Sequence, residues 1–177
     1  MSDVVDTERL LHTSRVVLEP LLPTHAAALF AGLSDARLYQ YHAGRPQSLE
    51  ALELRFTQLA TRRSPDNSEV WLNWAIRRHD GVYVGWIQAT VANDVAIVGY
   101  DIFPDHWRNG YATGACRAVI EVLKSEYHVS LVRAVVDVEN IASIGLLKSL
   151  GFVKVWTGKS GDMPGRIDHL YEKRMRA

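Results

Sequence analysis

The stretch from Val98 to Gly114 constrains the fold of this chain most, because it reads as a strand that breaks at Pro104 and re-enters as a helix. A break of this kind leaves backbone N–H groups unpaired. The following helix, predicted over about 18 residues, directs the positive end of its dipole at the same place. The small residues Gly110 and Ala112 permit close backbone approach to a ligand. Phosphate suits such a site best, and close packing of the helix on a sheet is the alternative explanation.

Composition favours one catalytic domain and excludes several other classes. With 177 residues, 47% of them hydrophobic, the chain can bury one sizeable core, so we expect a single domain over 1–177. Its 20 basic and 20 acidic side chains cancel, which predicts no nucleic-acid or membrane surface. No apolar run approaches the roughly 20 residues that cross a bilayer. The acidic start lacks a signal peptide and Cys116 has no partner for a disulfide, so we expect a cytoplasmic protein.

The turn residues and hydrophobic periods predict a mixed sheet with helices, in the α/β (α+β) class. The predicted elements are a strand over 15–22, helices over 24–35 and 49–59, strands over 71–78, 82–91 and 95–103, a helix over 112–127, a strand over 132–138, a helix over 141–150 and strands over 152–156 and 168–174. The three strands between 71 and 103 form an antiparallel meander. The strand over 132–138 is almost continuously apolar, which predicts burial on both faces. Thr24 and Ser48 are the predicted caps of the first two helices.

A second informative segment runs from Asp137 to Phe152. Asn140 is suited to cap a helix, Ser143 follows one turn later, and Gly151 stands where a helix ends. These local roles do not explain why a strand, the Asn, the Ser and Leu-Gly-Phe occur together, downstream of the first segment. The chain has no P-loop and no dinucleotide-binding glycine motif after its first strand, so neither of those nucleotide sites is supported.

Together the two segments resemble the GNAT superfamily of N-acetyltransferases. Its pattern Gln/Arg-x-x-Gly-x-Gly/Ala appears here as Trp107 to Ala112, with Trp in the first place. The opening segments, including Arg9-Leu10 and Val17 to Leu21, resemble the branch with the ribosomal-protein-alanine N-acetyltransferases. The resemblance covers nearly the whole chain. It implies a GNAT-like domain whose mostly antiparallel, twisted sheet of about seven strands, with about four helices, splays at an acetyl-CoA cleft.

The resemblance also implies which residues hold acetyl-CoA. Backbone N–H groups bind the pyrophosphate, and a guanidinium adds charge. The main chain at the end of the splayed strand pairs with the pantetheine amides and polarises the thioester carbonyl, Asn140 bonds the pantetheine arm, and Ser143 faces the sulfur. The implied residues are Ile102, Phe103, Arg108, Asn109, Gly110, Tyr111, Ala112, Thr113, Asn140 and Ser143.

The proton donor to the leaving thiolate is a second implied role. Many relatives carry a Tyr seven residues after the motif Asn, but this chain has Leu147 there. Ser143, or a water that it orients, is therefore the candidate acid, as in the branch named above. The alternative is an ordinary serine on a helix surface.

The general base is assigned to one of two carboxylates. A Glu that some relatives carry five residues before the motif Asn is Val135 here. Asp162, in the loop before the last strand, loosely matches a carboxylate implicated in the alanine-acetylating branch, and Asp101 on the splayed strand is the other candidate. Either could be a solvated residue instead. An α-amine, about 15% neutral at pH 7, needs less help from a base than a lysine, about 0.04% neutral.

An aromatic loop supplies the candidate acceptor contacts Tyr39, Tyr41 and His42, because in this family that loop borders the acceptor pocket. Other conspicuous residues have structural explanations. Cys116 lies on the inward face of its helix, and we interpret the tryptophans of the hairpin as core residues; they are Trp71, Trp74 and Trp86. The seven histidines show no metal-ligand spacing, so no metal is expected.

The predicted function is acetyl transfer from acetyl-CoA to a primary amine by direct attack. A protein N-terminal α-amine is the favoured acceptor. The alternatives are a small-molecule amine, such as a polyamine, amino acid or antibiotic, and a GNAT-fold module that binds acyl-CoA without transfer. Dimers are common among similar proteins, so a homodimer is a further expectation.

Overall fold

The computed structural model describes residues 9–159 and 165–175. The elements are β1 (Leu11–His12), β2 (Val16–Pro20), α1 (His25–Leu33), α2 (Leu49–Leu59), β3 (Val70–Arg78), β4 (Tyr83–Ala92), β5 (Val95–Ile102), α3 (Tyr111–Ser125), β6 (Leu131–Asp137), α4 (Ile141–Ser149), β7 (Val153–Gly158) and β8 (Asp168–Arg174). Short 3-10 helices cover Ala36–Gln40 and Pro104–His106.

The strands form one sheet in the order β1-β2-β3-β4-β5-β6-β8-β7. All neighbours are antiparallel except β5 and β6, which run parallel. The predicted class, a mostly antiparallel mixed sheet with four α-helices, is confirmed. The sheet has eight strands where about seven were predicted, because β1 has only two residues and is too short to leave a period-2 pattern.

Two hydrophobic clusters cover the two faces of the sheet. Helices α1 and α2 pack on one face through residues that include Leu29 and Phe56, both fully buried. Helices α3 and α4 cover the other face through residues that include Val119 and Leu147. Strand residues alternate between the clusters, as they do when successive side chains point to opposite faces.

Several predicted details differ from the structure. Strand β6 alternates instead of being buried on both faces, since Val135 is 50% exposed. The reason is that α1 and α2 pack over β3 and β4 and do not reach β6. Helix α3 has 15 residues, shorter than predicted. Thr24 makes no side-chain cap bond, whereas Ser48 does cap α2, by accepting from the Ala51 N–H at 3.1 Å.

A wedge between β5 and β6 positions the site. Their pairing is limited to Val95 through Ile97 opposite Leu131 through Arg133. Beyond Ile97 the two strands separate, while β5 stays paired to β4 and β6 to β8. The predicted splay is confirmed, and the wedge opens toward the N-termini of α3 and α4, which follow β5 and β6 in the chain.

No helix in the described ranges is long and apolar enough to cross a membrane.

Candidate active site

The end of β5 carries the main-chain groups that face the wedge. The Phe103 N–H donates to the Val84 carbonyl of β4 at 2.8 Å, and its carbonyl accepts from the His106 N–H at 2.8 Å. Because antiparallel partners alternate in direction, the neighbouring Ile102 N–H points away from β4, toward the wedge. The Ile102 carbonyl accepts from the indole N–H of Trp107 at 2.6 Å. Of the two residues predicted to pair with pantetheine, Phe103 therefore has an occupied main chain, and Ile102 has a donor on the correct side.

The loop before α3 presents a concave row of N–H groups. Arg108 and Gly110 both have left-handed backbones, with φ of 62° and 74°. The first helical hydrogen bond of α3 runs from the Gly114 N–H to the Gly110 carbonyl at 3.1 Å. The N–H groups of residues 111–113 therefore have no acceptor within the helix. The Asn109 amide donates to the carbonyls of His106 and Trp107 at 3.1 and 3.0 Å, so it shapes the loop.

Arg15 adds a second cation at this loop and was not predicted. Its guanidinium donates to the Asn109 carbonyl at 3.2 Å. A Cβ built on Gly110 would lie 4.0 Å from the Arg15 Nε. The side chain leaves the β1–β2 turn, where the Thr13 hydroxyl oxygen accepts from the N–H groups of Arg15 and Val16. No local pattern marks Arg15 in the sequence, because its partner lies on a distant loop.

The N-terminus of α4 forms the opposite wall of the wedge. The Asn140 Oδ1 accepts from the Ser143 N–H at 3.1 Å, so the predicted cap is present. The Asn140 Nδ2 has no acceptor among the described residues, and it can donate to a ligand. Ser143 is half-buried one turn above the cap. Leu147, at the position where many relatives have a Tyr, is buried in the core.

A tyrosine of β5 faces the same wall. The Tyr100 hydroxyl is buried and has no hydrogen-bond partner of ordinary geometry in the described part of the chain. Burial raises the pKa of Tyr100 far above that of a free phenol, the nearby Cys116 thiol adds to the rise, and the Ser143 hydroxyl opposes it. Tyr100 and Ser143 therefore lie close to one another. Sequence reasoning missed Tyr100 because a Tyr in a half-buried strand is typical of packing.

A cavity of about 140 Å³ opens on the other face of β5. Its polar lining comes from Tyr39, His42, Arg55, Trp86, Gln88 and Asp101. Asp101 follows Tyr100 directly, so the two side chains leave β5 on opposite faces. The cavity exceeds the volume that one water needs, roughly 10–15 Å³, and has room for a short polar group.

Asp101 is the lining residue whose carboxylate makes two hydrogen bonds within this cavity. One carboxylate oxygen lies 2.9 Å from His42 Nε2, and the other accepts from the Trp86 indole N–H at 3.0 Å. The carboxylate is thus fixed by two ring donors from different elements. Tyr39 supports the arrangement: its ring lies 5.0 Å from that of His42, edge on, and its hydroxyl donates to the Leu33 carbonyl at 2.5 Å.

The hydrogen-bond partners of His42 favour its doubly protonated form. Its Nδ1 lies 2.9 Å from the Ala43 carbonyl, which can only accept, and its Nε2 faces the Asp101 carboxylate, which also accepts. Both ring nitrogens then act as donors, which only an imidazolium allows. The hydrogen bond to Asp101 raises the pKa of His42, and burial opposes the rise.

The other predicted acceptor and base residues have separate outcomes. Tyr41 does not line the cavity, whereas Tyr39 and His42 do. Asp162 lies outside the described residues. Trp86 is buried, as expected of a core residue, but it also lines the cavity. Its dual role has no sequence signal, because burial and site lining need the same large aromatic side chain.

Comparison with known proteins decides the family. Residues 15–153 match the family model described as "Acetyltransferase (GNAT) domain". The chain belongs to the GNAT acetyltransferase family. An uncharacterized N-acetyltransferase, YoaA of Bacillus subtilis, is 29% identical over 149 residues, which are 82% of this chain and 83% of that protein.

Solved structures show the same GNAT fold. A ribosomal L7/L12 α-N-protein acetyltransferase in complex with coenzyme A has a TM-score of 0.81 and 13% identity, with 94% of this chain and 98% of that chain covered. The microcin C7 self-immunity acetyltransferase MccE, in complex with acetyl-CoA and AMP, has a TM-score of 0.80 and 14% identity, with 92% and 94% covered. The structural neighbours therefore include one protein named for a ribosomal-protein acceptor and one named for microcin C7 self-immunity.

Two further predictions can be placed in this GNAT fold. Cys116 packs in the core below α3, where burial raises its pKa to about 12, so it is no thiolate nucleophile at neutral pH. Among residues 9–159 and 165–175, no group of three or more His, Cys, Asp or Glu side chains is arranged to hold a metal ion.

Proposed function

We propose that this GNAT protein transfers the acetyl group of acetyl-CoA to a primary amine by direct attack on the thioester. The observation that carries the proposal is the placement of two sites on β5. The wedge with its free N–H groups lies at one side, and the cavity around Asp101 lies on the face opposite Tyr100. A thioester carbonyl held at the end of β5 is then reachable by an amine from the cavity.

Acetyl-CoA is expected to lie in the wedge. The N–H groups of residues 111–113 and the cations Arg15 and Arg108 suit its pyrophosphate. The Ile102 N–H and the Asn140 Nδ2 suit the amides of the pantetheine arm. A thioester that follows this path reaches the Ile102 end of β5, close to Ser143.

The acceptor nitrogen forms a bond to the acetyl carbon, and the carbon–sulfur bond breaks. The nitrogen loses a proton, and the departing thiolate gains one. Ser143, within reach of the Tyr100 hydroxyl, is the proposed donor to the thiolate, directly or through water. Asp101 is the proposed carboxylate that receives the acceptor's ammonium group and takes one proton from it before the attack, because an ammonium nitrogen has no lone pair. That proton passes to solvent, and the second proton, which nitrogen loses as the new bond forms, balances the one that the thiolate gains.

An α-amine is the acceptor that this arrangement suits best. Asp101 is engaged by His42 and Trp86. A carboxylate suffices as the base for an amine with a pKa near 7.8, because part of that amine is already neutral at pH 7. A protein N-terminus is our first candidate, and a ribosomal-protein α-N-acetyltransferase is among the structural neighbours. A small-molecule amine is the second, favoured by a cavity of only about 140 Å³.

Release of CoA tests the proposal. The protein is incubated with acetyl-CoA and a thiol reagent, with a panel of N-terminal peptides and small amines. We expect CoA release with at least one α-amine, and its loss in Asp101→Asn but not in Asp80→Asn, a matched change in an exposed hairpin. Tight acetyl-CoA binding with no CoA release for any amine would instead identify a module that binds acyl-CoA without transfer.

A further inference from the structure

The acceptor cavity contains a cation that has no anionic partner among the described residues. Arg55, on α2, lines the cavity, and its Cζ lies 5.4 Å from the centre of the Trp86 ring. It makes no hydrogen bond or ion pair with any residue that the structure describes. By contrast, the nearby Arg37 binds Asp35 and Asp105. The loop after His42 approaches the guanidinium from outside, since a Cβ on Gly44 would lie 3.9 Å from an Arg55 terminal nitrogen.

Arg55 and Asp101 are linked by a single side chain. Trp86 donates its indole N–H to Asp101 and presents its ring face to Arg55. The Asp101 carboxylate, proposed to receive the amine, and the Arg55 guanidinium therefore lie across one indole from each other. A ligand with an amine at one end and an anion a few bonds away spans that distance. Guanidinium groups bind carboxylates with two parallel hydrogen bonds, which adds orientation to attraction.

The charges of the cavity favour the same ligand. A protonated His42 neutralises Asp101, and Arg55 is then the excess charge among the described residues of the lining. A polyamine would bring further positive charge into this cavity, whereas an amine that carries a carboxylate would cancel the excess. Arg55 is exposed, so water weakens this electrostatic preference without removing it, and the difference bears on selection between acceptors.

We infer that Arg55 forms an anion subsite, and that the acceptor is a primary amine bearing a carboxylate close to the amine. This inference rests on the proposed function, because it assigns the cavity to the acceptor. The carboxylate has two sources: the main-chain carboxylate of a free amino acid, or an acidic side chain next to a peptide N-terminus. Both present the same chemistry to Arg55.

The test compares acceptors that differ in that carboxylate, with each rate corrected for the neutral fraction of the amine, because a carboxylate also raises the pKa of a neighbouring amine. Alanine is compared with alaninamide, and a C-terminally amidated peptide beginning Ala-Asp with one beginning Ala-Asn, with spermidine as the cationic acceptor. We expect kcat/KM to favour the carboxylate member of one pair by at least about ten-fold, and spermidine to be the poorest. The pair that shows the preference identifies the source.

Arg55→Gln should reduce that preference to nearly one while leaving KM for acetyl-CoA unchanged, and Arg55→Lys should restore part of it. Arg63→Gln, an equal loss of charge on an exposed residue outside the cavity, should keep it. Equal rates for both members of each pair, the best rates with spermidine, or a preference that survives in Arg55→Gln would overturn the inference.

Binding separates this inference from the proposed function. Calorimetry on the protein loaded with CoA measures acceptor affinity without turnover. If no amine is acetylated but the carboxylate member still binds more tightly in an Arg55-dependent way, the proposed function fails and the subsite stands. If amines are acetylated and bound with no dependence on Arg55, the subsite fails and the proposed function stands.

Discussion

The cofactor wedge and the acceptor cavity lie beside the same strand, β5, but they are formed by different kinds of chemical group. The wedge consists mainly of backbone groups from two continuous segments, at 98–114 and 137–152. The cavity consists of side chains from a loop, α2, β4 and β5, brought together only by folding. Backbone geometry is dictated by local patterns of Gly, Pro and Asn, whereas a side-chain cluster is free to vary between relatives. One fold can therefore keep its cofactor while its acceptor changes.

Gly110→Glu should break the wedge and give the largest effect. Gly110 has a φ of 74°, and among the described residues that are not its chain neighbours an added Cβ would approach the Arg15 Nε, at 4.0 Å. The new side chain has room, at the cost of strain in a left-handed backbone, and its carboxylate enters a site suited to phosphate. We expect acetyl-CoA affinity to fall by at least about 100-fold, by like-charge repulsion and loss of the anion site. Calorimetric titration with acetyl-CoA measures it.

The matched control is Gly81→Glu, which imposes the same charge change and a comparable strain at φ of 95° in an open hairpin turn. That variant should bind acetyl-CoA as the parent does. If Gly110→Glu kept full affinity, the loop before α3 would not be the pyrophosphate site.

Asp101→Asn should disable the cavity and leave the wedge intact. The amide preserves the shape of the side chain but removes the charge that His42 faces at 2.9 Å. We expect kcat/KM for the amine to fall by about 100-fold, typical of losing a group that handles a proton. The dissociation constant of acetyl-CoA should be unchanged by titration. A parallel loss of acetyl-CoA affinity would show that the two regions are not separable.

Ser143→Ala and Tyr100→Phe sharpen the comparison on the wedge side. Each should lower kcat by about ten-fold, and the double variant should lose little more, because groups that act together are not additive. Tyr100→Phe removes a buried hydroxyl that has no partner among the described residues, so the melting temperature should hold or rise. A fall in stability with unchanged kcat would make Tyr100 a packing residue alone.

The smallest expected effect is the contribution of the His42–Asp101 pair to the pH dependence of stability. The pKa of His42 is raised in the folded state, chiefly by its hydrogen bond to Asp101. The pair therefore stabilises the fold fully below about pH 6.5 and loses its contribution as pH rises through the raised pKa. Because the imidazole is 36% exposed, solvent screens the pair and the loss should be only about 1–2 °C.

Thermal melts between pH 6 and pH 9 measure that loss. His42→Gln should lose less stability over the same interval than the parent protein. An identical pH slope in both proteins would show that the pair does not titrate as the geometry requires.

The sequence predicted the backbone features of this molecule and little of its side-chain assembly. The Ser48 cap and the left-handed Gly151 follow from local patterns, and the strand splay follows from the resemblance to the GNAT superfamily. The two-residue strand β1 was missed because two residues are too few to show the alternation of apolar and polar residues that is typical of a strand. The prediction that β6 is buried on both faces was wrong, because the exposure of one face depends on how far α1 and α2 extend over the sheet.

The residues missed at the site share one property. Arg15, Arg55 and Tyr100 have partners or neighbours distant in the sequence, so no spacing marks them. Asp101 and His42 were each predicted, but for different roles and without their mutual contact. Their pairing across 59 positions follows only from the path of the loop after α1.

A crystal structure of the complex with CoA tests the central claim, that cofactor and acceptor occupy separate regions on either side of the end of β5. We predict that the pyrophosphate contacts the N–H groups of residues 111–113, and that the sulfur lies in the wedge within hydrogen-bonding or water-bridged reach of Ser143. The cavity around Asp101 should remain open to the acceptor. A pantetheine arm that fills that cavity, or a pyrophosphate bound away from the loop before α3, would contradict the account.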